Sequence, residues 1–349
     1  MGVERTAEDR IFAGLTAAGI GDALGAPTEQ YTMYEIKQVF GPGLIDQFHA
    51  PCADTFAGVN GGKAGEITDD ASQMYYLAHA LAREGAAFSN ADWIACLMDW
   101  RDTSPKAGFM GPSTEALINA LKNGTDPNLF GRIGTSSRKM TNIGTTNGAA
   151  MRAAPIGMAF PGDIIRTADK TLLTCLPSHD ASVAIEAACA IACGTSAAMV
   201  ADDLQSVLDA CQEGAIAGRS LCTKHGRLEA GPRFQSRMRR ALQIAAEGQD
   251  AFDFLAQLEA EIGNSVLAAE SVPCAVGILA YGKADPWYCV KLAASIGNDS
   301  DSIATMVGAM AGTLSGLQAF PPTILDSFQQ ANGTIDLKNL SKLLAGLSL

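Results

Sequence analysis

Apolar residues recur at intervals of three and four along most of this chain, and alternating β-branched runs are scarce, so the pattern predicts helices and little sheet. Thr6 stands as the cap of a helix over 7 to about 24, where Ile11, Leu15, Ile20 and Leu24 contribute to one broad apolar surface; Gly25 ends it and Pro27 confirms the stop. A short helix over 31 to 40 closes at Gly41-Pro42-Gly43, and 44 to 67 reads as irregular and glycine-rich. Helices follow at about 69 to 84, 90 to 101 and 113 to 122, the second capped by Asn90 and the third ended by Asn123-Gly124. A small-residue helix over 149 to 157 bends or breaks near Pro155, and Ser178-His179-Asp180 opens a helix over 181 to 198. Further helices fall at about 202 to 219, 231 to 248, 251 to 262, 270 to 281 and 285 to 296, with caps or breaks at Gly218, Gly248, Gly263 and Gly282. The series from Ile303 to Met310, continued by Ala311, Gly312 and Gly316, reads as a central helix crossed closely by others. Helices after Pro321-Pro322 and at about 337 to 347 complete an all-α bundle.

Two helix starts carry more hard oxygen than capping needs. Gly297-Asn298-Asp299-Ser300-Asp301-Ser302 leads into the central helix, where one of the serines can cap the free N–H groups, and Thr68-Asp69-Asp70 opens the pattern of Ala71, Met74, Tyr75 and Ala78. Together they supply four carboxylates and three hydroxyls. With no Cys or His at ligand spacing, that set suits Mg²⁺ or Mn²⁺ better than zinc, and four negative charges would balance two divalent ions. The competing reading is that both clusters merely cap helices and favour their positive dipole ends.

A third motif, Gly21-Asp22-x-x-Gly25-x-x-x-Glu29, lies upstream, and Asn147-Gly148-Ala149-Ala150-Met151-Arg152, Ser178-His179 and Gly308 with Gly312 complete an ordered set. In that order and over nearly the whole chain, these residues resemble the ADP-ribosylglycohydrolase family. The resemblance implies a single domain over 1–349, a large orthogonal helical bundle with a binuclear metal cleft. It implies a metal-dependent hydrolase acting at the anomeric carbon of ADP-ribose on a protein side chain or small conjugate. Thr68, Asp69, Asp70, Asp299, Asp301 and Ser302 would hold two Mg²⁺ or Mn²⁺ ions, and Glu29, Asp69, Asp299 and Asp301 would carry the catalysis. Glu29, just beyond the first helix, is open to the roles of base, gate or metal partner, and to that of an exposed loop residue; Asp22 reads as structural.

Gly144-Thr145-Thr146-Asn147-Gly148 places glycines and hydroxyls before a helix, a pattern that favours anions or simply starts the helix. The resemblance puts the substrate diphosphate there and His179 at the mouth of the cleft. Relatives that act on ADP-ribosyl-arginine often carry Asp-x-Gly before a Thr-Thr pair, whereas this chain has Phe109-Met110-Gly111 before Ser113-Thr114. It loses a carboxylate that could face a guanidinium and gains a ring that could stack on one or belong to the core. A nucleoside or ribosyl-conjugate hydrolase is therefore the alternative, and a non-enzymatic binding protein of the same fold comes third. Ser302 stands where the family usually has Thr, and Asn298 where it usually has Gly.

Composition narrows the partners. A net charge of −12 removes nucleic acid from consideration, because no basic stripe is available to neutralise phosphates. With 36 glycines and 6% aromatic residues, the core is expected to consist of Ala, Leu, Ile and Met between closely packed helices. The 9 cysteines, scattered in Ala-rich stretches, read as buried apolar residues of a reducing compartment. No apolar run reaches the roughly 18 residues of a membrane span, and the N-terminus lacks a signal-peptide pattern, although Gly2 and Thr6 superficially fit myristoylation. A cytoplasmic location is expected. The glycines from Gly58 to Gly65 lack the strand and the Gly-Lys-Ser/Thr ending of a phosphate loop.

Overall fold

The computed structural model describes residues 5–124, 132, 135–140 and 142–347. Its chain forms 17 α-helices with no strand among the described residues. They are α1 (Ala7–Gly25), α2 (Met33–Phe40), α3 (Phe56–Val59), α4 (Asp69–Glu84), α5 (Asn90–Thr103), α6 (Pro112–Lys122), α7 (Ala154–Ala159), α8 (Ile164–Cys175) and α9 (Ser182–Ala198). After these come α10 (Leu204–His225), α11 (Phe234–Ala246), α12 (Ala251–Glu261), α13 (Ala268–Tyr281), α14 (Pro286–Ser295), α15 (Ser300–Ser315), α16 (Pro322–Ala331) and α17 (Leu337–Ala345). One continuous apolar cluster runs from Ile11 to Leu344. The Gly2 pattern lies outside the described residues.

The pair that positions everything else is α1 and α15. They run antiparallel and touch backbone to backbone, because small residues face each other along the crossing. A Cβ at Gly308 would sit 2.4 Å from the Ala17 carbonyl oxygen, one at Gly312 2.6 Å from that of Ala13, and one at Gly21 2.3 Å from that of Ala304. At the end of the crossing, a Cβ on Gly25 would meet the Asp301 backbone at 2.6 Å. Gly25 is therefore glycine for close approach; its backbone is right-handed helical and α1 tightens into a 3-10 turn over Ala26–Thr28. Both helices are buried almost throughout. Arg5 donates to the Thr313 and Leu314 carbonyls at the end of α15, and Arg10 to the Ala198 and Ala201 carbonyls at the end of α9, cations placed where the helix dipoles favour them.

Several local readings change. The cap of α5 is Ser89, which forms a reciprocal box with Asp92, not Asn90, whose amide instead donates to the Leu173 carbonyl at 2.8 Å. Pro155 opens α7 at its first turn, where the missing N–H costs nothing, rather than breaking a longer helix. α10 passes straight through Gly218, which lets α9 approach: a Cβ there would lie 2.9 Å from the Ile185 carbonyl. α9 begins at Ser182 without a cap of its own; Glu229 takes the N–H groups of Ser182 and Val183 at 2.7 and 3.2 Å. α8 has no counterpart in the sequence pattern, since its buried face is Thr167, Ala168, Thr171, Leu172, Thr174 and Cys175. Of the cysteines, all but the half-buried Cys52 are buried, and all are free thiols. No described helix is long and apolar enough to cross a membrane.

Candidate active site

Three stretches of chain meet where α1 ends, α4 begins and α15 begins. The antiparallel crossing brings the turn after α1 beside the start of α15, and the segment bearing Glu29 pairs with it like a short ladder: Gln30 N–H donates to the Asn298 carbonyl and Asn298 N–H to the Tyr31 carbonyl, both at 2.8 Å. The turn requires positive φ at Gly297 (+78°) and Asn298 (+57°). Asparagine, the non-glycine residue best suited to that region, explains the substitution noted at 298. Glu29 is consequently half-buried and faces Asp301, Asp299, Asp69 and Asp22, whose charges add to burial in pushing its carboxyl up to about 10.

Most of the aspartates anchor one oxygen on the protein. Asp69 accepts from Gln73 Nε2 at 2.9 Å, Asp301 from the Ser302 N–H at 2.9 Å, and Asp299 from Asn147 Nδ2. Asp22 accepts from the N–H groups of Thr68 and Ala71, each at 3.0 Å. Asp22 Oδ1 and Asp70 Oδ2 are buried with no partner among the described residues. Burial, and then the neighbouring carboxylates, raise the whole group: Asp299 to about 8, Asp22 to about 7, and Asp69 and Asp70 well above the usual range. Burial alone raises Asp301, to about 6. Against six carboxylates the protein sets the fully buried Arg152, whose guanidinium lies 4.5 Å over the Trp93 ring and reaches Asp69 through Gln73 (Nη1 to Gln73 Oε1, 3.0 Å).

No serine caps α15. Asp299 occupies the N-cap position without a side-chain bond to the helix, while Ser300 turns back to the Gly25 carbonyl at 3.0 Å and lies 3.0 Å from the Thr28 hydroxyl. The hydroxyls of Thr68 and Ser302 are buried in the same region, the former 3.3 Å from the Asp70 N–H.

The segment from 144 to 148 forms the adjoining wall, with a different construction from the one expected. A three-residue 3-10 turn, Asn147–Ala149, replaces the start of a helix, and the Asn147 N–H is taken by the Val266 carbonyl at 2.9 Å. Thr145 Oγ1 donates to the Asn142 carbonyl at 2.9 Å. Asn147 bridges Asp299 and the Ser271 hydroxyl (2.9 Å), so its amide holds a carboxylate. Gly144 has φ +71°, and a Cβ on Gly148 would come within 2.9 Å of His179 Nε2. His179 is not at the mouth of a cleft: it is 1% exposed and clamped between the hydroxyls of Ser178 (Nδ1, 2.7 Å) and Thr146 (Nε2, 3.0 Å). Burial, aided by Arg152, pulls its pKa well below the usual value, so the ring is neutral. Asp180, the third member of that motif, pairs with Lys139 at 2.7 Å and Arg227 at 3.5 Å.

The comparisons with known proteins speak to the family and the fold. A sequence model of the family described as ADP-ribosylglycohydrolase matches residues 4–348. The chain belongs to that family. It is 29% identical to the uncharacterised protein YegU of Escherichia coli (strain K12) over 335 residues, 93% of each chain. It is 28% identical to an uncharacterised protein of Archaeoglobus fulgidus over 306 residues, 87% of each. A solved structure described as an ADP-ribosylglycohydrolase-related protein complex shares the fold with a TM-score of 0.64 at 20% identity, covering 98% of this chain and 99% of that one.

This ADP-ribosylglycohydrolase family member differs from expectation in its aromatic wall. Phe109, the ring offered as a stacking surface, is 6% exposed and packs against Ala26 and Ala57. Its edge meets Phe56 at 6.4 Å between centroids, and Phe56 is 38% exposed. The Phe56 N–H is tied to Gln30 Oε1 at 2.6 Å, next to Glu29. Phe56, the more exposed ring of this pair, is thus tied through its backbone to the residue after Glu29, and nothing in the helical periodicity marked it. A cavity of about 950 Å³ lies along the outer face of α4, lined by Tyr76, His79, Lys106 and Phe109 among others, and none of the six carboxylates lines it.

Proposed function

We propose that this chain is a divalent-metal-dependent glycohydrolase that cleaves the glycosidic bond at the anomeric carbon of an ADP-ribosyl or ribosyl conjugate. The observation that carries the reading is the gathering of six carboxylates, from three distant stretches, in a largely buried cluster, with the Arg152 guanidinium as a buried cation beside it. Buried charges need partners, and without a cation a cluster with this excess approaches neutrality only by holding protons, as its raised pKa values show. Among the described residues no three His, Cys, Asp or Glu side chains already converge at ligand distance. The donor chemistry nonetheless fits a hard cation. Carboxylates and hydroxyls dominate, most of the aspartates are oriented by one protein hydrogen bond, and Asp70 Oδ2 is buried with no partner among the described residues.

Thr68, Asp69, Asp70, Asp299, Asp301 and Ser302 would hold two Mg²⁺ or Mn²⁺ ions, which when bound lower the pKa of a water and polarise ribose hydroxyls. Glu29, half-buried beside these carboxylates, holds its own proton while they are uncompensated, and would accept one from the attacking water once bound cations offset the burial and the neighbouring charges that raise its pKa. The carboxylates as a group favour positive charge developing at the anomeric carbon. Asn147 and Gln73 keep Asp299 and Asp69 turned to their positions. Phe56 supports a second reading, a ribosyl or nucleoside hydrolase, because it is an exposed ring whose backbone is bonded to Gln30, the residue after Glu29, and an aromatic ring can stack on a planar leaving group.

Release of product from ADP-ribosyl-arginine, ADP-ribosyl-serine and a set of nucleosides, each with Mg²⁺, Mn²⁺ or chelator, tests both. Metal-dependent release of ADP-ribose supports the first reading; activity on nucleosides alone supports the second. Activity unaffected by chelator would sink the metal assignment.

A further inference from the structure

Two kinds of helix start can be compared directly in this molecule. At α1, α2 and α5 the cap is local and reciprocal: the N-cap hydroxyl takes the N–H three residues on, and the carboxylate at that third position takes the N-cap N–H, as in Thr6 with Asp9, Thr32 with Glu35 and Ser89 with Asp92. At α4 the N-cap is Thr68 and the third position is Ala71, which has no oxygen to offer. Both N–H groups go to a single oxygen of Asp22, on α1, at 3.0 Å each. Asp22 is fully buried, and its carboxylate lies at a positive helix end. The Thr68 hydroxyl takes the Asp70 N–H at 3.3 Å, a bond as long as the 3.3 and 3.4 Å bonds of the local boxes at α2 and α5, and leaves the Ala71 N–H to Asp22.

We infer that Asp22 is a positioning residue that takes both N–H groups of a capping box at α4 from another helix, so that the Thr68 hydroxyl is relieved of the Ala71 N–H and stays available as a ligand. The same bonds lock the α4 end carrying Thr68, Asp69 and Asp70 against the crossing of α1 and α15, where Asp301 lies. The ligand half of this inference rests on the metal reading above; the capping half does not.

The test compares Asp22→Ala, Asp22→Asn and Thr68→Val with Thr6→Ala, which deletes a local cap at the outer end of α1. Each is measured for Mn²⁺ affinity by calorimetric titration and for thermal unfolding in chelator. Asp22→Ala lowers the metal-free midpoint by about 2 °C or more and weakens Mn²⁺ binding by about tenfold or more. Asp22→Asn, which keeps an acceptor oxygen, loses less of both. Thr6→Ala lowers the midpoint and leaves Mn²⁺ affinity unchanged. Thr68→Val weakens Mn²⁺ binding with little change in the metal-free midpoint, but adds a further loss of midpoint in the Asp22→Ala background, where the freed hydroxyl has taken over the cap. If Asp22→Ala does not fold, Thr68→Val in the Asp22→Asn and wild-type chains decides. Unchanged Mn²⁺ affinity in a destabilised Asp22→Ala would reduce Asp22 to an ordinary cap. A metal-free loss for Thr68→Val equal to that of Thr6→Ala would show that Thr68 caps its own helix. A wild-type chain that binds no Mn²⁺ overturns the metal reading and the ligand half, and the metal-free midpoints then decide the capping half by themselves.

Discussion

The carboxylates at the starts of α4 and α15 and the imidazole behind Thr146 are buried to similar depth, yet burial acts on them with opposite sign. Asp69, Asp299 and Asp301 are driven toward the protonated form, whereas His179 is driven toward the neutral one, which is also its deprotonated form. The imidazole wall is complete as protein, since each ring nitrogen has a hydroxyl partner. The carboxylate wall is not, since buried oxygens of Asp22 and Asp70 have no partner among the described residues. The first region is satisfied by the protein itself; the second is the one to which the proposed function assigns the chemistry.

Asp299→Ala should break this contrast most strongly. It removes a carboxylate that caps nothing, so α15 keeps its start, and kcat should fall by about 10³-fold or more while the metal-free protein melts at or above the wild-type temperature. Steady-state kinetics and calorimetry on the same preparation check both halves; full activity in the variant would remove Asp299 from the site.

Asn147 is where the two walls join, and it ranks next. Asn147→Ala leaves Asp299 without its anchoring amide, and a loss of about 10- to 100-fold in kcat/KM is expected, recovered in part by raised Mn²⁺. A loss that no Mn²⁺ concentration relieves would mean that Asn147 acts on the substrate directly.

These residues also show what could be read from the sequence. Thr68-Asp69-Asp70 and Asp299-Ser300-Asp301-Ser302 stood out because a helix start uses one or two side-chain oxygens and these offered more. That α15 is crossed closely was legible in its small residues, Gly308, Ala309, Ala311, Gly312 and Gly316; that α1 is the helix crossing it was not, because pairing is tertiary information. Asp22 was not legible as a cap, because its partners lie 46 and 49 positions away and an aspartate near a helix end has ordinary reasons to be there. The burial of His179 and the bond from Asn147 to Asp299 were not legible for a related reason: a hydroxyl-rich, glycine-rich turn is the same in sequence whether its donors face a ligand or one another. Gly218 was misread because a glycine within a helical run marks a break unless another helix crosses there, which is tertiary information.

The opposite signs of the two walls lead to a smaller, separable effect on pH. A folded-state pKa above the unfolded one means that the folded chain holds protons the unfolded chain has released. That stability is whole below the usual carboxylate range and is lost as pH rises through about 6 for Asp301, 7 for Asp22 and 8 for Asp299. The melting temperature in chelator should therefore fall between pH 5 and pH 8 on account of these groups, and Mn²⁺, which competes with the same protons, should stabilise more at the upper end. A Mn²⁺ stabilisation that is flat across this range would separate the ion from the carboxylates.

His179 gives the smallest and most specific prediction. Its depressed pKa contributes stability that is present above the usual histidine value and lost as pH falls below it, opposite to the carboxylates. His179→Gln leaves the Ser178 and Thr146 hydroxyls imperfectly partnered and should cost about 1–2 kcal/mol. Because the ring is neutral and buried, the variant should keep the wild-type pH profile of kcat between pH 6 and 8, which a pH–rate series under saturating Mn²⁺ measures. A shifted limb in that profile would make His179 a proton carrier rather than a brace, and would move the boundary between the two walls to the far side of Thr146.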